Sequence, residues 1–506
     1  MPISFSRIPA NWRIPLYWVE VDPSKAGLPI FAGNALLVGV QITGPTLSHA
    51  VANVPIAIAS QAQADFAFGQ GSQLALMFKT YFANNWAGAV YGLPVAEGSA
   101  AAVGTVTVAT APTQAGQFDL YIAGVNTPVT VAATDTVTIV ATAIAAAITA
   151  NKDLPVSAVA SVGVVTLTAK AKGIYGNDIL LSDNYYGAVG GEVMPTGMTV
   201  TYVQPTGGTG VPTFTAAISA LGEFEYEFVG LPYTDSTTLL AWETEYGFSD
   251  TGRWGFIRQK YGHIFSAARG TMSALNALAV ARNCAQLSIM GVEVTAQSPV
   301  WQWAAAYTAK AARALLNDPA RPLQSLHLEG IVPAPAQGRF LMSELNSMSI
   351  SGVATQRVAT GNTPMIARET TTATLNLYGN TDDAYEVVTT LATLAKLLRN
   401  QRQAITSKFP RHKLANDGTR FGAGQAIVTP KIIKAELVAQ YRIDEFNGLV
   451  EDAFAFKNNL LVERDPNDPN RVNVLYPPDL VNQLRVFAVL AQFRLQFDRG
   501  VDLAIL

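Results

Sequence analysis

The 506-residue sequence predicts a multidomain α/β fold: a parallel α/β core, a β-rich domain inserted into it, an α+β C-terminal domain and extended terminal arms. Three observations carry this. Strand-like and helix-like segments alternate over residues 211–335, the pattern of a mostly parallel sheet covered by helices. Residues 98–210 shift to Thr, Val, Ala and Gly, and only nine of these 113 residues are charged. Near the C-terminus, Leu484–Phe497 reads as a strand with no sheet of its own. The implied division is arm 1–25, first α/β segment 26–97, insert 98–210, core 211–375, C-terminal domain 376–483 and arm 484–506.

The first 25 residues hold Pro2, Pro9, Pro15 and Pro23, each of which restrains a helix or a central strand. Phe5, Trp12, Tyr17 and Trp18 are scattered among them, which suits either a docking arm or a ragged first strand. Leu36–Val40 reads as a buried strand, and Ala89–Leu93 as another. Between them Leu74, Met77, Phe78, Tyr81 and Phe82 have helical spacing in Gln73–Trp86. In the insert, Val106–Val108, Phe118–Ile122, Pro128–Val131 and Val164–Thr168 are short strands, and Asp135 is placed to cap a helix Val137–Ala150. Gly207–Gly210 would be the exit hinge.

The core then reads strand Tyr226–Leu231, helix Ser236–Tyr246, strand Trp254–Gln259, helix Thr271–Asn283 and strand Gln286–Val292. A helix opened by Ser298-Pro299 follows, then a strand Leu326–Val332. Asn380–Asp383 is expected to head a helix with Val387, Val388, Leu391, Leu394, Leu397 and Leu398 on its core face. Strands are expected at Lys431–Arg442 and Val450–Lys457, then a loop Arg464–Asn470.

In the closing segment Phe487, Val489, Ala491, Phe493, Leu495 and Phe497 share one face of an extended strand. The other face begins apolar at Val486 and Leu490 and ends polar. Val489, Phe493 and Phe497 also fit a helix. If the missing sheet lies in a neighbouring subunit, the chain is an assembly protein.

Composition points the same way. Hydrophobic residues make up 49% and charged residues 14%, against about 25% charged in ordinary soluble domains. Mean hydropathy is +0.22, yet every long apolar run is interrupted, so no membrane insertion is expected. The first residues lack the pattern of a signal peptide, which implies folding in a cytoplasm. A net charge of −3 gives no pull toward nucleic acid. The single cysteine, Cys284, excludes an internal disulfide and reads best as a small buried hydrophobe.

Catalytic patterns are scarce. The sequence has no Gly-Lys pair for a phosphate loop and no Gly-x-Ser-x-Gly elbow. His49, His263, His327 and His412 are far apart, and Asp465 with Asp468 resembles a calcium loop only loosely. No cofactor is expected. An α/β hydrolase with a β-rich accessory domain stays open if folding places a Ser or Asp beside His263 or His327. A capsid or adhesin protein is a further alternative. One charge feature stands out: Val387–Asn416 holds no acid but carries Lys396, Arg399, Arg402, Lys408, Arg411 and Lys413. This is either a solvated helix end or a docking patch for an acidic partner.

Several blocks, in order, resemble contractile-tail sheath proteins of Mu-like phages. They are Ile3-Ser-Phe5 with Ile8-Pro9, Asn11, Arg13, Pro15, Tyr17 and Glu20-Val-Asp22; Phe68-Gly-Gln-Gly-Ser72 with Asn84-Asn85 and Val90-Tyr91; Lys172–Ile179; and Tyr476-Pro-Pro-Asp through Leu495. Pro15-Leu16 departs from the expected Pro-Gly. The resemblance implies a non-enzymatic virion tail protein assembled in the host bacterial cytoplasm. Its partners would be copies of itself, an inner tail tube protein, and baseplate and tail terminator proteins. It further implies that the arms add strands to neighbouring subunits, through Phe5, Ile8, Trp12 and Tyr17 at one end. At the other end the strand would use Val486, Phe487, Val489, Phe493, Leu495 and Phe497.

Overall fold

Ala35–Val40 is buried at every position because it lies in the middle of a sheet covered on both faces. In this computed structural model, which describes residues 33–44, 48–493 and 495, the sheet has six strands. Their order is Leu287–Val292, His263–Arg269, Phe228–Gly230, Ala35–Val40, Val90–Val95 and Ile56–Ala57. All neighbours pair parallel except Ile56–Ala57, which runs antiparallel at the edge. Helices Gln73–Asn84 and Val300–Asn317 pack against the sheet and each other. Ser72 caps the first of them, accepting the Ala75 N–H at 3.1 Å. Trp301, Trp303 and Tyr307 of the second are fully buried. The shared core runs from Ala35 to Val388 and includes Ala171 and Tyr175.

Residues 102–198 have a core of their own. A four-stranded antiparallel sheet, Thr199–Thr206, Val103–Thr110, Val164–Ala169 and Val156–Ser161, lies beside a three-stranded one, Val125–Val131, Gly116–Ile122 and Leu181–Asp183. Helix Val137–Ala150 buries Val140, Ala141, Ile144 and Ile148 in this core. Its cap is Thr136, not Asp135; the Asp135 carboxylate instead accepts the Ala132 N–H. The neck is closed by the Ala100–Thr209 bridge. Gly98 and Gly210 pass so closely there, with Gly210 at φ +94°, that neither has room for a side chain.

Helix Val300–Asn317 starts after Pro299, which has no side-chain donor or acceptor, and Ser298 is turned away to accept the Val332 N–H. The cap comes from the insert: Asp178 accepts the Val300 N–H at 2.5 Å and pairs with Arg269 at 2.5 Å. Arg269 also donates to the carbonyls of Val294, Ala296 and Ser298. Asp178→Ala should therefore strand Arg269 and destabilise the chain by about 3–5 kcal/mol, read from urea unfolding. A loss below about 0.5 kcal/mol, the usual surface value, would show that Asp178 holds nothing.

Several expected elements are replaced. Trp254–Gln259 is no strand: the chain winds in turns around Arg253, which is fully buried, pairs with Glu245 and donates to the Phe224 and Gly222 carbonyls. The strand begins only at His263. Leu326–Val332 contributes a single bridge, His327 to Met365. Asn380–Asp383 heads no helix: it is irregular apart from a bridge of Thr381 to Leu375, and the helix is Val388–Lys408. Lys431–Arg442 lies within a helix, Pro430–Phe446, whose buried face is Ile433, Leu437, Tyr441 and Asp444. Val450–Lys457 becomes helix Ala453–Asn459 after a short bridge. These helices and Leu397 form a third core. A hairpin, Leu461–Arg464 with Val472–Leu475, stands on its flank.

Candidate assembly surfaces

The C-terminal segment leaves the body through a series of fixed points. Leu480 bridges Val450, and Tyr441 Oη donates to the Glu451 carbonyl at 2.7 Å while accepting the Asp479 N–H at 3.1 Å. Gln483 donates to the Ala320 carbonyl at 2.9 Å and to Thr389. Arg485 then closes a two-pronged pair on Glu369, whose side chain is wholly buried. Beyond this anchor Val486, Phe487, Val489, Leu490, Phe493 and Leu495 are all exposed. Residues from Val481 to Phe493 carry no regular structure in the single chain. Phe5, Ile8, Trp12, Tyr17 and Phe497 lie outside the described residues. Sequence reading missed Glu369, a lone acid in a Thr-rich run with no periodicity to mark it.

The hairpin pairs Leu461 with Leu475 and Arg464 with Val472. Because the sheet has only two strands, each has a free outer edge among the described residues, and Leu461 and Leu475 are exposed. Its loop is self-satisfied. Asp465 accepts from the amides of Asn467 and Asp468 and from Asn473, which holds its carboxyl below the usual range. Its oxygens are thus engaged by the loop itself, and no group of three or more metal-ligating side chains is found among the described residues.

The basic run divides. Arg399 is buried and pairs with Glu227 at 2.5 Å and Glu225 at 2.7 Å, so its charge is directed inward and it is no surface contact. Burial pushes the Glu227 carboxyl above its ordinary range, although Arg399 opposes the shift. Lys408 is exposed and pairs with Glu436. Lys396, Arg402, Arg411 and Lys413 face outward. Arg402 borders a shallow groove of about 420 Å³ lined by Phe248, Trp254, Phe256 and Tyr261.

A cavity of about 350 Å³ lies between the core and helix Val388–Lys408. His263 is buried against it, and neither ring nitrogen has a hydrogen-bond partner among the described residues. Burial alone pushes its pKa down from 6.5 to about 3, so the ring is neutral. Asp318 lines the same cavity without bonding the imidazole, and no serine lines it. The cavity also sits at the amino ends of the parallel strands, whereas α/β enzymes bind ligands outside the carboxyl ends. His327 is exposed. Burial pushes the Cys284 thiol up to about 12, which disfavours the thiolate form. A folded-state pKa below the unfolded one means that stability is lost as pH falls from 6.5 toward 3. His263→Phe should flatten that acid loss in urea midpoints measured across the same range. An unchanged pH slope would assign the loss to other groups.

Residues 207–372 match the central domain of phage tail sheath proteins, and residues 380–494 match the tail sheath C-terminal domain. The chain is 40% identical over 497 residues to the Mu-like prophage FluMu tail sheath protein of Haemophilus influenzae, covering 97% of this chain and all of that one. It is also similar to the crystal structure of a sheath tail protein from Desulfitobacterium hafniense, with TM-score 0.48, 12% identity and coverage of 93% and 97% of the two chains. For the Listeria innocua sheath tail protein the TM-score is 0.48, the identity 10% and the coverage 89% and 92%. A chain of the anti-feeding prophage baseplate gives 0.47, 10%, and 96% and 100%. By the two domain matches and the near full-length relative, the chain belongs to the phage tail sheath family and is a Mu-like contractile tail sheath subunit, a structural component of the virion tail.

Proposed function

We propose that the subunits polymerise head to tail into an open helical sleeve around an inner tail tube, held together by exchanged strands. On contraction they turn and spread as rigid bodies, driving the tube through the target envelope. The observation that carries this reading is the pairing of donor and acceptor on one chain. An apolar, sheetless arm begins at the Arg485–Glu369 anchor, and a two-stranded hairpin with free edges stands on the same C-terminal domain. Adding one chain's arm to another's hairpin would bury the exposed Val, Leu and Phe side chains and give both segments their missing backbone partners. The N-terminal arm, through Phe5, Ile8, Trp12 and Tyr17, is assigned the second free edge.

The outward charges Lys396, Arg402, Lys408, Arg411 and Lys413 are assigned to an acidic tube surface. Baseplate and terminator proteins would cap the two ends, with assembly in the host cytoplasm. The reading is non-enzymatic, in keeping with a structural family and with the unpartnered His263. Negative-stain microscopy of the purified full-length chain tests it: striated tubes or stacked rings are expected. A monodisperse monomer at high concentration would overturn it.

A further inference from the structure

Leu377 is fully exposed and Tyr378 is 90% exposed, yet the loop that carries them is held stiffly. Its stem is the bridge between Leu375 and Thr381. Inside it Asn376 Oδ1 accepts the Tyr378 and Asn380 N–H groups at 2.9 and 3.1 Å, and the Asn376 N–H donates to the Asn380 carbonyl at 2.9 Å. At the base Asn283 Oδ1 accepts the Thr374 and Leu375 N–H groups, both at 2.9 Å, and Asn283 Nδ2 donates to the Leu375 carbonyl at 3.1 Å. A tip fixed in this way loses little conformational freedom on docking. Asp382 and Asp383 follow the stem, and Asp383 is exposed. A hollow of matching chemistry lies elsewhere on the surface. The groove of about 420 Å³ is walled by Phe248, Trp254, Phe256 and Tyr261 on one side and by Leu394 and Leu398 on the other. Phe256 and its neighbour Ile257 are exposed there, so aromatic and aliphatic surface faces water. Lys260 stands on the rim: it lines an adjoining hollow with Gln259 and Tyr261, which also line the groove.

We propose that the Leu377–Tyr378 tip of one copy docks in this groove on the next copy, with Asp383 facing Lys260 across the rim. The exposure of both tip side chains shows that a chain's own groove does not hold them, so the seat is on a second copy. The match is one of shape and sign: a stiff apolar tip with acids at its base, and an aromatic groove with a base at its edge. Tyrosine suits the place, since its ring packs among aromatic walls while its hydroxyl stays at the wet rim. Tip and groove are different surfaces, so the contact is heterologous and repeats in one direction, as an open helix requires. The proposal rests on the reading that copies of the chain associate, and adds a contact made by the folded body rather than by the arms.

The test replaces Tyr378 with the photo-crosslinker p-benzoylphenylalanine in the full-length chain, mixing isotopically heavy and light copies before assembly and irradiation. Adducts joining heavy to light chains, on peptides holding Phe248–Tyr261 or Leu394–Arg402, are expected. Tubes in the microscope with adducts only at other peptides would overturn this contact and leave the sleeve reading intact. Adducts confined to single chains would overturn it as well. A dispersed monomer without heavy-to-light adducts would overturn both. Charge reversal gives a second readout that does not depend on the crosslinker's own fit. Asp383→Lys and Lys260→Asp should each lower the adduct yield about three- to fivefold, the scale of an exposed ion pair, and the two together should restore it. Full yield in both single variants, or no recovery in the double one, would overturn the pairing.

Discussion

A chain ending after Arg485 is expected to fold normally and remain a soluble unit, whereas the full-length chain is expected to form tubes. Of the described residues removed, Val486, Phe487, Val489, Leu490, Phe493 and Leu495 are all exposed. Unfolding free energy should stay within about 0.5 kcal/mol of the parent, the range of surface changes. A chain shortened by one further residue, ending at Leu484, should behave differently. It leaves Glu369 wholly buried without its guanidinium, a change worth about 3–5 kcal/mol. Sedimentation velocity, negative-stain microscopy and urea unfolding of the two truncations separate the arm's assembly role from its anchor's folding role. Tubes from the chain ending at Arg485 would remove the arm from the assembly mechanism. Equal stability of the two truncations would remove the anchor.

Arg399→Ala should be the most destabilising single change in the basic run, at about 3–5 kcal/mol, because it strands Glu225 and Glu227 in a largely buried site. The loss should depend on pH. Glu227 is held above its ordinary value in the folded chain, so the folded state keeps its proton longer than the unfolded one. The stability this contributes is fully present in acid and is lost as pH rises through the folded value. Removing Arg399 removes an influence that lowers the Glu227 value, so the variant should fall behind most at neutral pH and least below the carboxylate range. Arg402→Glu, on the exposed face, should leave stability within about 0.5 kcal/mol and act only on docking to an acidic tube. Urea unfolding across pH and co-sedimentation with tubes read the two effects separately. A neutral Arg399→Ala would return that residue to the surface set. Full co-sedimentation of Arg402→Glu at moderate salt would end its docking role.

The sequence made the central sheet legible because its strands are buried on both faces and read as continuous apolar runs: Ala35–Val40, Val90–Val95 and Leu287–Val292 fall within a residue or two of expectation. The insert helix Val137–Ala150 has the expected bounds, although its cap is Thr136. Errors arose where local pattern and tertiary demand diverge. In Pro430–Phe446 the β-branched Ile432, Ile433 and Val438 suggest a strand, yet Ile433, Leu437 and Tyr441 mark the buried face of a helix. In Trp254–Gln259, Phe256 and Ile257 are turned outward, and the chain winds around buried Arg253. Alternation marked the closing segment as apolar and extended, with a helix also possible; in the single chain its described residues are exposed and without regular structure. Its anchor could not be read, since the Arg485–Glu369 contact spans 116 residues with no local signal. For the same reason Arg399, one base among six in the sequence, is revealed as internal only by its distant Glu225 and Glu227 partners.

The Arg485 anchor has a mechanical consequence. Glu369 directly precedes Thr370, whose carbonyl accepts the Ser288 hydroxyl at 2.7 Å, and Ser288 lies in Leu287–Val292 and contacts Tyr307 Oη at 2.8 Å. A tensile load on the arm is therefore carried past the small C-terminal domain into an edge strand of the central sheet. That strand is joined to His263–Arg269 along six residue pairs. Rows of parallel-strand hydrogen bonds loaded together yield far less readily than bonds opened one at a time. A neighbour pulling on the arm would thus load the central sheet as well as the C-terminal domain, for as long as the Arg485–Glu369 pair holds.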